Sequence, residues 1–170
     1  RHNRDVDIYH SGRFAGLGSR HNVQHWGDSA KQLRISTSMN RRFHYFLTTD
    51  ERTGDVLNEV ARADKQLAHL DARRKAAKFS KNEKHAQTDG GGTRITIGTD
   101  YGASLANWLT AWERSGDPRM KERIENTMRS VGGSRGGFFV DRYMYDPETG
   151  TLTAPENAPM VAMTLGVCFG

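Results

Sequence analysis

Two short polar turns in this sequence repeat each other at a distance of 67 residues. The first turn is 47–52 and the second is 114–119. Each contains an aspartate, Asp50 or Asp117, between an aromatic-bearing helical segment and an amphipathic one. Aspartate is a favoured helix N-cap, and Pro118 suits the first position of the helix that follows. Repeated helical hairpins joined by short turns indicate a solenoid or a toroid, so the pattern predicts a mainly α-helical chain.

Apolar residues recur at helical spacing in four segments of the chain. The predicted helices cover residues 29–48, 53–72, 101–114 and 118–131. Because short connections join the first pair and the last pair, both pairs are predicted to be antiparallel. The side chains predicted to form the core faces of the first and third helices are Ile35, Met39, Phe43, Phe46, Leu47, Leu105, Trp108, Leu109 and Trp112.

A small β-structure is predicted after the fourth helix. Residues 138–145 form a strand, 151–153 form its return, and the hairpin turn is centred on Pro147, Glu148 and Thr149. One rim of the helical assembly then carries the short Asp turns, and the opposite rim carries long segments. Long loops are where ligands bind most often, so this rim is the expected site. The long segments are 1–28, 73–99 and 132–158.

The formal charge of +5 at pH 7 favours an anionic partner, either nucleic acid or an acidic polysaccharide. The basic segment 71–88 lacks interleaved aromatic residues, so it indicates a solvated helix end and linker rather than a nucleic-acid arm. The single Cys168 excludes an internal disulfide and a cysteine-rich zinc site. The triple glycine at 90–92 lacks the Gly-Lys-Ser/Thr ending of a phosphate loop, and no apolar run is long enough to span a bilayer. We therefore predict no nucleic-acid partner, no membrane span and no cofactor.

The ends of the sequence are those expected of a piece of a larger domain. The chain begins at Arg1 and ends inside the apolar run 160–169, which a following segment is expected to bury. Residues 1–170 are accordingly expected to be part of one domain that is truncated at both ends. A piece with such an exposed run is expected to associate rather than to melt as a stable monomer.

The segment from Gly18 to Asp28 concentrates polar chemistry in eleven residues, of which only Val23 is aliphatic. Its two imidazoles, His21 and His25, are four residues apart. Proton transfer, anion binding and stacking on a ring are all available within this one loop. A hydrogen-bonded loop with a purely structural role is the alternative. The groups around the two imidazoles are Arg20, Asn22, Trp26 and Asp28.

These residues carry a resemblance to a known family. The run Asp-Val-Asp-Ile-Tyr-His-Ser-Gly-Arg-Phe at 5–14, the run at 20–28 and the turn at 47–55 resemble the exo-rhamnogalacturonan lyase-like proteins of polysaccharide lyase family 26. The resemblance implies a catalytic (α/α)6 toroid joined to β-sandwich domains, in a protein that is secreted or on the cell surface. The predicted fold is therefore an incomplete (α/α) toroid of antiparallel helical hairpins with a small β-hairpin insertion.

The resemblance also implies a reaction, the β-elimination of a uronate-containing polysaccharide of the rhamnogalacturonan or pectin type. Such an enzyme neutralises the uronate carboxylate, and a base then removes the neighbouring proton. An arginine fork matches a carboxylate, and an indole stacks on a sugar face. The expected catalytic residues are His21, His25 and Tyr9, and the expected substrate-binding residues are Arg20, Asn22, Trp26, His10, Asp100 and Tyr101.

Three other functions stay open at this point. A glycoside hydrolase on the same toroid needs one or two carboxylates in its cavity, and a non-catalytic polysaccharide-binding module needs none. A zinc site would draw on His21 and His25 with Asp28, but no HExxH context supports it, so we predict no metal. The candidate carboxylates of a hydrolase are Asp5, Asp7, Asp28 and Asp100.

Overall fold

The computed structural model describes residues 16, 18–19, 31–32, 37–65, 93–140 and 142–157. Four α-helices and five short β-strands lie in these ranges, so the described chain is mainly helical. In chain order they are β1 (Gly18–Ser19), β2 (Lys31–Gln32), α1 (Arg41–Thr48), α2 (Glu51–Val60), β3 (Thr93–Thr96), α3 (Thr99–Ser115), α4 (Pro118–Gly133), a 3-10 turn (Gly137–Phe139), β4 (Arg142–Asp146) and β5 (Thr151–Thr153).

The two Asp turns adopt the same conformation, which confirms the repeat. The residue after α1, Thr49, is left-handed with φ 52° and ψ 28°, and its counterpart Gly116 after α3 has φ 67° and ψ 11°. The next residues, Asp50 and Asp117, are extended with φ of −62° and −61°. Each aspartate side chain accepts a hydrogen bond from a backbone N–H of the helix that it caps. The sequence repeat is therefore a structural repeat of two helical hairpins.

The helices alternate in direction, as the short connections predicted. Tyr101 at the start of α3 donates to Thr127 late in α4, whereas Trp112 near the end of α3 lies against Lys121 near the start of α4. The hairpin α3–α4 is therefore antiparallel. The end of α2 meets the middle of α3, where the Asn107 amide donates to the Val60 carbonyl at 3.3 Å.

α1 and α3 run in the same direction, since positions that advance along one advance along the other. Ser38, just before α1, bonds to Asn107 of α3, and Arg42 pairs with Glu113 at 3.1 Å. Equivalent helices of successive hairpins are parallel in a toroid. The structure thus contains two consecutive hairpins of the predicted toroid.

A three-stranded antiparallel sheet of order β3–β4–β5 packs beside the second hairpin. Its two halves come from the long segments 73–99 and 132–158, which therefore meet on one side of the molecule. The predicted hairpin is confirmed, with Asp146 opposite Thr151 and the turn between them. The core between the sheet and the helices consists of Ile95, Tyr101, Trp108, Val131, Val140, Tyr143, Tyr145 and Leu152.

The first two predicted helices have the wrong bounds. Lys31 and Gln32 form a strand, and α1 begins at Arg41 rather than at residue 29. The reason is tertiary, because the N–H of Ser38 donates to the Asn107 side chain at 2.7 Å instead of closing a helical turn. The second helix runs from Glu51 to Val60 and gives way to a turn and a 3-10 segment at 63–65; residues 66–72 lie outside the described ranges.

Two further details differ from the sequence prediction. Phe138 and Phe139 lie in a 3-10 turn and not in the strand, because Gly136 and Gly137 before them take positive φ angles. Trp108 is buried as predicted, but most of the other side chains predicted for the core faces are exposed in the described part of the chain. Ile35 lies outside the described residues. The exposed members are Met39, Phe43, Phe46, Leu47, Leu109 and Trp112.

Candidate active-site rim

The helix ends opposite the Asp turns point to the same side because the hairpins are antiparallel, with the end of the shorter α2 at the level of the middle of α3. We call this end the long-loop rim and define it by residues 59–64, 98–101 and 130–140. The end of α2, the start of α3 and the end of α4 all belong to it. The sheet formed by the two long segments packs next to the same helix ends.

The segment 1–28, which we call the opening loop, contacts the long-loop rim at Gly16. Gly16 has φ 77°, and a Cβ atom there would lie 2.4 Å from the carbonyl oxygen of Glu59, near the end of α2. Only glycine fits such a close approach between two backbones. Two residues further on, β1 pairs with β2 in the register Gly18 to Gln32 and Ser19 to Lys31. Ser19 and Lys31, which flank the segment 20–30 in the sequence, are therefore paired.

Most of the predicted site residues belong to that segment or precede it. They lie outside the described residues, and their catalytic and binding roles stay predictions. These residues are Tyr9, His10, Arg20, His21, Asn22, His25 and Trp26, together with Asp5, Asp7 and Asp28 of the hydrolase alternative.

The two described site residues, Asp100 and Tyr101, lie in the first turn of α3 on the long-loop rim, and both are buried. The Tyr101 hydroxyl donates to Thr127 at 3.4 Å, and its ring lies 6.4 Å from that of Phe138. Burial raises the pKa of Tyr101 above its ordinary value. The structure therefore places both residues at the start of α3 on the long-loop rim, and their part in substrate binding stays a prediction.

A buried polar cluster around Asp64, at the α2 end of this rim, was not predicted from the sequence. Asp64 follows α2 and is only 2 % exposed. Its Oδ2 accepts a close hydrogen bond from the Arg123 guanidinium of α4 and another, at 2.7 Å, from the Tyr145 hydroxyl of β4. Arg123 also donates to the carbonyl of Pro147 at 2.8 Å, so the cluster ties α2, α4 and the hairpin turn together.

Aromatic rings close the cluster on one side. The Trp108 ring stacks on Tyr145 at 5.9 Å, and the Arg123 guanidinium lies 5.8 Å from the Trp108 ring. Burial raises the pKa of Asp64, and Arg123 offsets part of that rise. Burial and the nearby Asp64 carboxylate raise the pKa of Tyr145 as well. Since Asp64 and Tyr145 are almost wholly buried, the cluster joins α4, β4 and the residue after α2 inside the core.

Residues 1–170 match the family model described as the PcRGLX-like protein C-terminal alpha/alpha toroid domain. The chain belongs to this family. PcRGLX-like proteins are rhamnogalacturonan lyase-like, and the repeated hairpins α1–α2 and α3–α4 are part of their toroid.

The PcRGLX-like chain is also similar to a curated bacterial protein. It is 42% identical over 160 residues to the uncharacterized protein YetA of Bacillus subtilis (strain 168). The match covers 89% of this chain and 17% of YetA, so the chain spans about a sixth of the length of that relative.

A signal for the buried cluster is present in the sequence of this PcRGLX-like domain. Leu57, Val60 and Asp64 are spaced three and four residues apart, so a carboxylate continues the apolar stripe that α2 buries. An acidic residue on a buried stripe requires a cationic or hydrogen-bonding partner. The partner Arg123 is 59 residues away, and no local pattern identifies it.

The described part of the chain lacks two further features. No group of three or more histidine, cysteine, aspartate or glutamate side chains there is arranged to hold a metal ion. None of the helices in the same ranges is long and apolar enough to cross a membrane.

Proposed function

We propose that this chain is part of the catalytic toroid of a lyase that cleaves rhamnogalacturonan or pectin-type polysaccharides by β-elimination. The single observation that carries the proposal is membership of the PcRGLX-like toroid family. The net charge of +5 agrees with an anionic substrate. The family also supports a secreted or cell-surface location, where such polymers occur.

In the proposed reaction the opening loop supplies the reacting groups. Arg20 and Asn22 bind the uronate carboxylate and stabilise the negative charge that grows when the neighbouring proton leaves. His21, His25 or Tyr9 accepts that proton. The electron pair of the broken C–H bond forms a double bond in the uronate ring, and the C–O bond breaks so that its electrons leave on the glycosidic oxygen, which takes up a proton from an acid or from water.

The remaining predicted residues hold the polymer. Trp26 stacks on a sugar face, and His10 donates or accepts hydrogen bonds beside the reacting unit. Asp100 and Tyr101 belong to the rim on which the base of the opening loop lies, which supports their inclusion in the site. The Tyr101 hydroxyl must exchange its bond to Thr127 if it is to contact substrate directly.

The full-length protein that contains this domain tests the proposal. It is incubated with a panel of pectic and rhamnogalacturonan fragments while the absorbance of unsaturated uronates is followed. We expect absorbing products from a uronate-containing polymer. New reducing ends without such absorbance would establish a hydrolase instead, and binding without any turnover would establish a binding module.

Variants of the opening loop test the assigned roles. Arg20→Ala is expected to weaken binding and slow turnover together, because the carboxylate charge is present in the ground state and in the transition state. His21→Ala or His25→Ala is expected to cut turnover by roughly a hundredfold or more with little change in affinity. If both histidine variants keep the wild-type melting temperature and full activity, the histidines are not the base.

A further inference from the structure

A cleft of about 650 Å³ opens between the end of α4 and the strand β5. Its position at the end of α4 places it on the long-loop rim, away from the Asp turns. Ligand sites in proteins commonly have volumes of this order. Its lining residues include Ser130, Ser134, Arg135, Val140, Thr153 and Glu156.

The serine hydroxyls of this cleft already have hydrogen-bond partners within the fold. Ser130 donates to the Asn126 carbonyl at 2.7 Å and accepts from the N–H of Leu152 at 3.1 Å. Ser134 contacts the buried Tyr143 hydroxyl, which also donates to the Gly137 carbonyl at 2.8 Å. These bonds fix the walls of the cleft without engaging a ligand.

Three exposed polar side chains of the cleft are not used in this way. Within the ranges that the structure describes, the side chains of Arg135, Thr153 and Glu156 make no hydrogen bond or ion pair. Arg135 offers a guanidinium fork for a carboxylate, while Thr153 and Glu156 offer partners for hydroxyl groups. A ligand with both a carboxylate and many hydroxyls satisfies all three, and a uronate sugar has this composition.

The loop that carries Arg135 also connects the cleft with the proposed active site. Its aromatic residue Phe138 lies 6.4 Å from the ring of Tyr101, beside Asp100 at the start of α3. Phe139, next to the lining residue Val140, is 52 % exposed. Half-exposed aromatic rings beside polar groups are typical of surfaces that bind sugars through their apolar faces.

We propose that this cleft is a distal subsite that binds a uronate unit of the polysaccharide through Arg135. The proposal rests on the proposed function for its ligand class, and its evidence is the cleft itself. A chain that lies across the rim would occupy the opening-loop site with one unit and the cleft with another. Binding at the cleft then holds long substrates without contacting the bond that is broken.

The test compares three forms of the full-length protein: wild type, Arg135→Ala and Arg129→Ala. Arg129 is the control because it is an exposed arginine near the end of α4, six residues before Arg135, paired with Glu125 and absent from the cleft. Calorimetric titrations use a long rhamnogalacturonan oligosaccharide and the same oligosaccharide with its carboxyl groups reduced. Initial rates on the polymer give KM and kcat for each form.

We expect Arg135→Ala to weaken binding of the acidic oligosaccharide by about tenfold, which corresponds to one charge-assisted contact. Arg129→Ala should bind like wild type, and the reduced oligosaccharide should not distinguish the three forms. Equal affinities of all forms for the acidic oligosaccharide would overturn the proposal, as would an equal loss with both ligands. A wild-type protein that binds neither ligand would overturn it as well.

The same data separate this subsite from the proposed function. If unsaturated products form and KM is the same with and without Arg135, the subsite proposal is wrong and the lyase proposal stands. If binding depends on Arg135 but no unsaturated product forms, the lyase proposal is wrong and the subsite proposal stands. Because Arg135 is exposed, its variant should keep the wild-type melting temperature, which circular dichroism confirms or contradicts directly.

Discussion

Thr49 and Gly116 occupy equivalent left-handed positions in the two repeated turns, with φ of 52° and 67°. Thr49 is the sole described non-glycine residue with a positive φ. A side chain in this conformation costs about 1 kcal/mol or more, because its Cβ crowds the neighbouring carbonyl oxygen. The hairpin geometry therefore overrides the local preference of Thr49, whereas glycine meets the same requirement without strain.

We predict that Gly116→Ala lowers the free energy of unfolding by about 1 kcal/mol. No atom lies within 4 Å of the added Cβ, so backbone strain alone causes the loss. Gly132→Ala is the matched control, since it has equally open surroundings but lies inside α4. Alanine there should raise the free energy of unfolding by about 0.5–1 kcal/mol. Denaturant unfolding of both variants checks the opposite signs.

The second prediction at the residue scale concerns the buried carboxylate of Asp64. Asp64→Ala leaves the Arg123 guanidinium without its buried partner, so the free energy of unfolding should fall by about 3–5 kcal/mol. Glu125→Ala breaks ion pairs on the exposed face of α4 and should cost about 0.5 kcal/mol or less. Thermal and denaturant unfolding provide the comparison, and similar losses in the two variants would contradict the importance of burial.

At the scale of the element, the two Asp caps define where α2 and α4 begin. The Thr53 hydroxyl and N–H lower the pKa of Asp50, and the Arg119 side chain and N–H lower that of Asp117. A folded-state pKa below the unfolded value means that the charged cap stabilises the fold above about pH 4. That contribution is lost as the pH falls through the lowered folded-state pKa values.

We therefore predict that Asp50→Ala lowers the melting temperature at neutral pH. The difference in melting temperature between this variant and wild type should become smaller below about pH 4. Asp50→Asn keeps an acceptor oxygen for the cap without the charge, so it should lie between wild type and the alanine variant at neutral pH. Melting curves across the acid range provide the measurement. A gap that is independent of pH would show that the charge of Asp50 contributes nothing.

At the scale of the whole molecule, the two rims of the toroid are expected to have separate tasks. The Asp turns join helices, and the long-loop rim collects the loop base at Gly16, the sheet and the cleft beside β5. A substitution that displaces a backbone segment on one rim should then affect activity, and a similar substitution on the other rim should affect stability alone.

We predict that Gly16→Ala lowers kcat/KM on a uronate polymer by roughly tenfold to a hundredfold. Its Cβ would lie 2.4 Å from the Glu59 carbonyl oxygen, so the base of the opening loop must shift. Gly116→Ala is the control, because it has a similar positive φ but no neighbour within 4 Å and lies on the opposite rim. Both variants should lose stability, and only Gly16→Ala should lose activity. Equal kcat/KM values for Gly16→Ala and wild type would show that the loop base does not affect catalysis.

The sequence by itself determined the features that depend on near neighbours. The repeated hairpins follow from helical periodicity, the starts of α2 and α4 from the capping chemistry of Asp50 and Asp117, and the β4–β5 turn from its local residues. The family resemblance rested on similarly local motifs. Each of these signals lies within a few residues of the structure that it specifies, so no distant partner is needed to interpret it.

Only the tertiary structure decided features that require contacts between distant residues. α1 starts late because Ser38 bonds to Asn107, 69 residues away, and Asp64 accepts hydrogen bonds from groups 59 and 81 residues away. Phe43 and Leu47 follow the apolar period of a core helix, yet no described element covers them. Periodicity reports which face of a helix is apolar, whereas burial depends on what the rest of the chain places against that face.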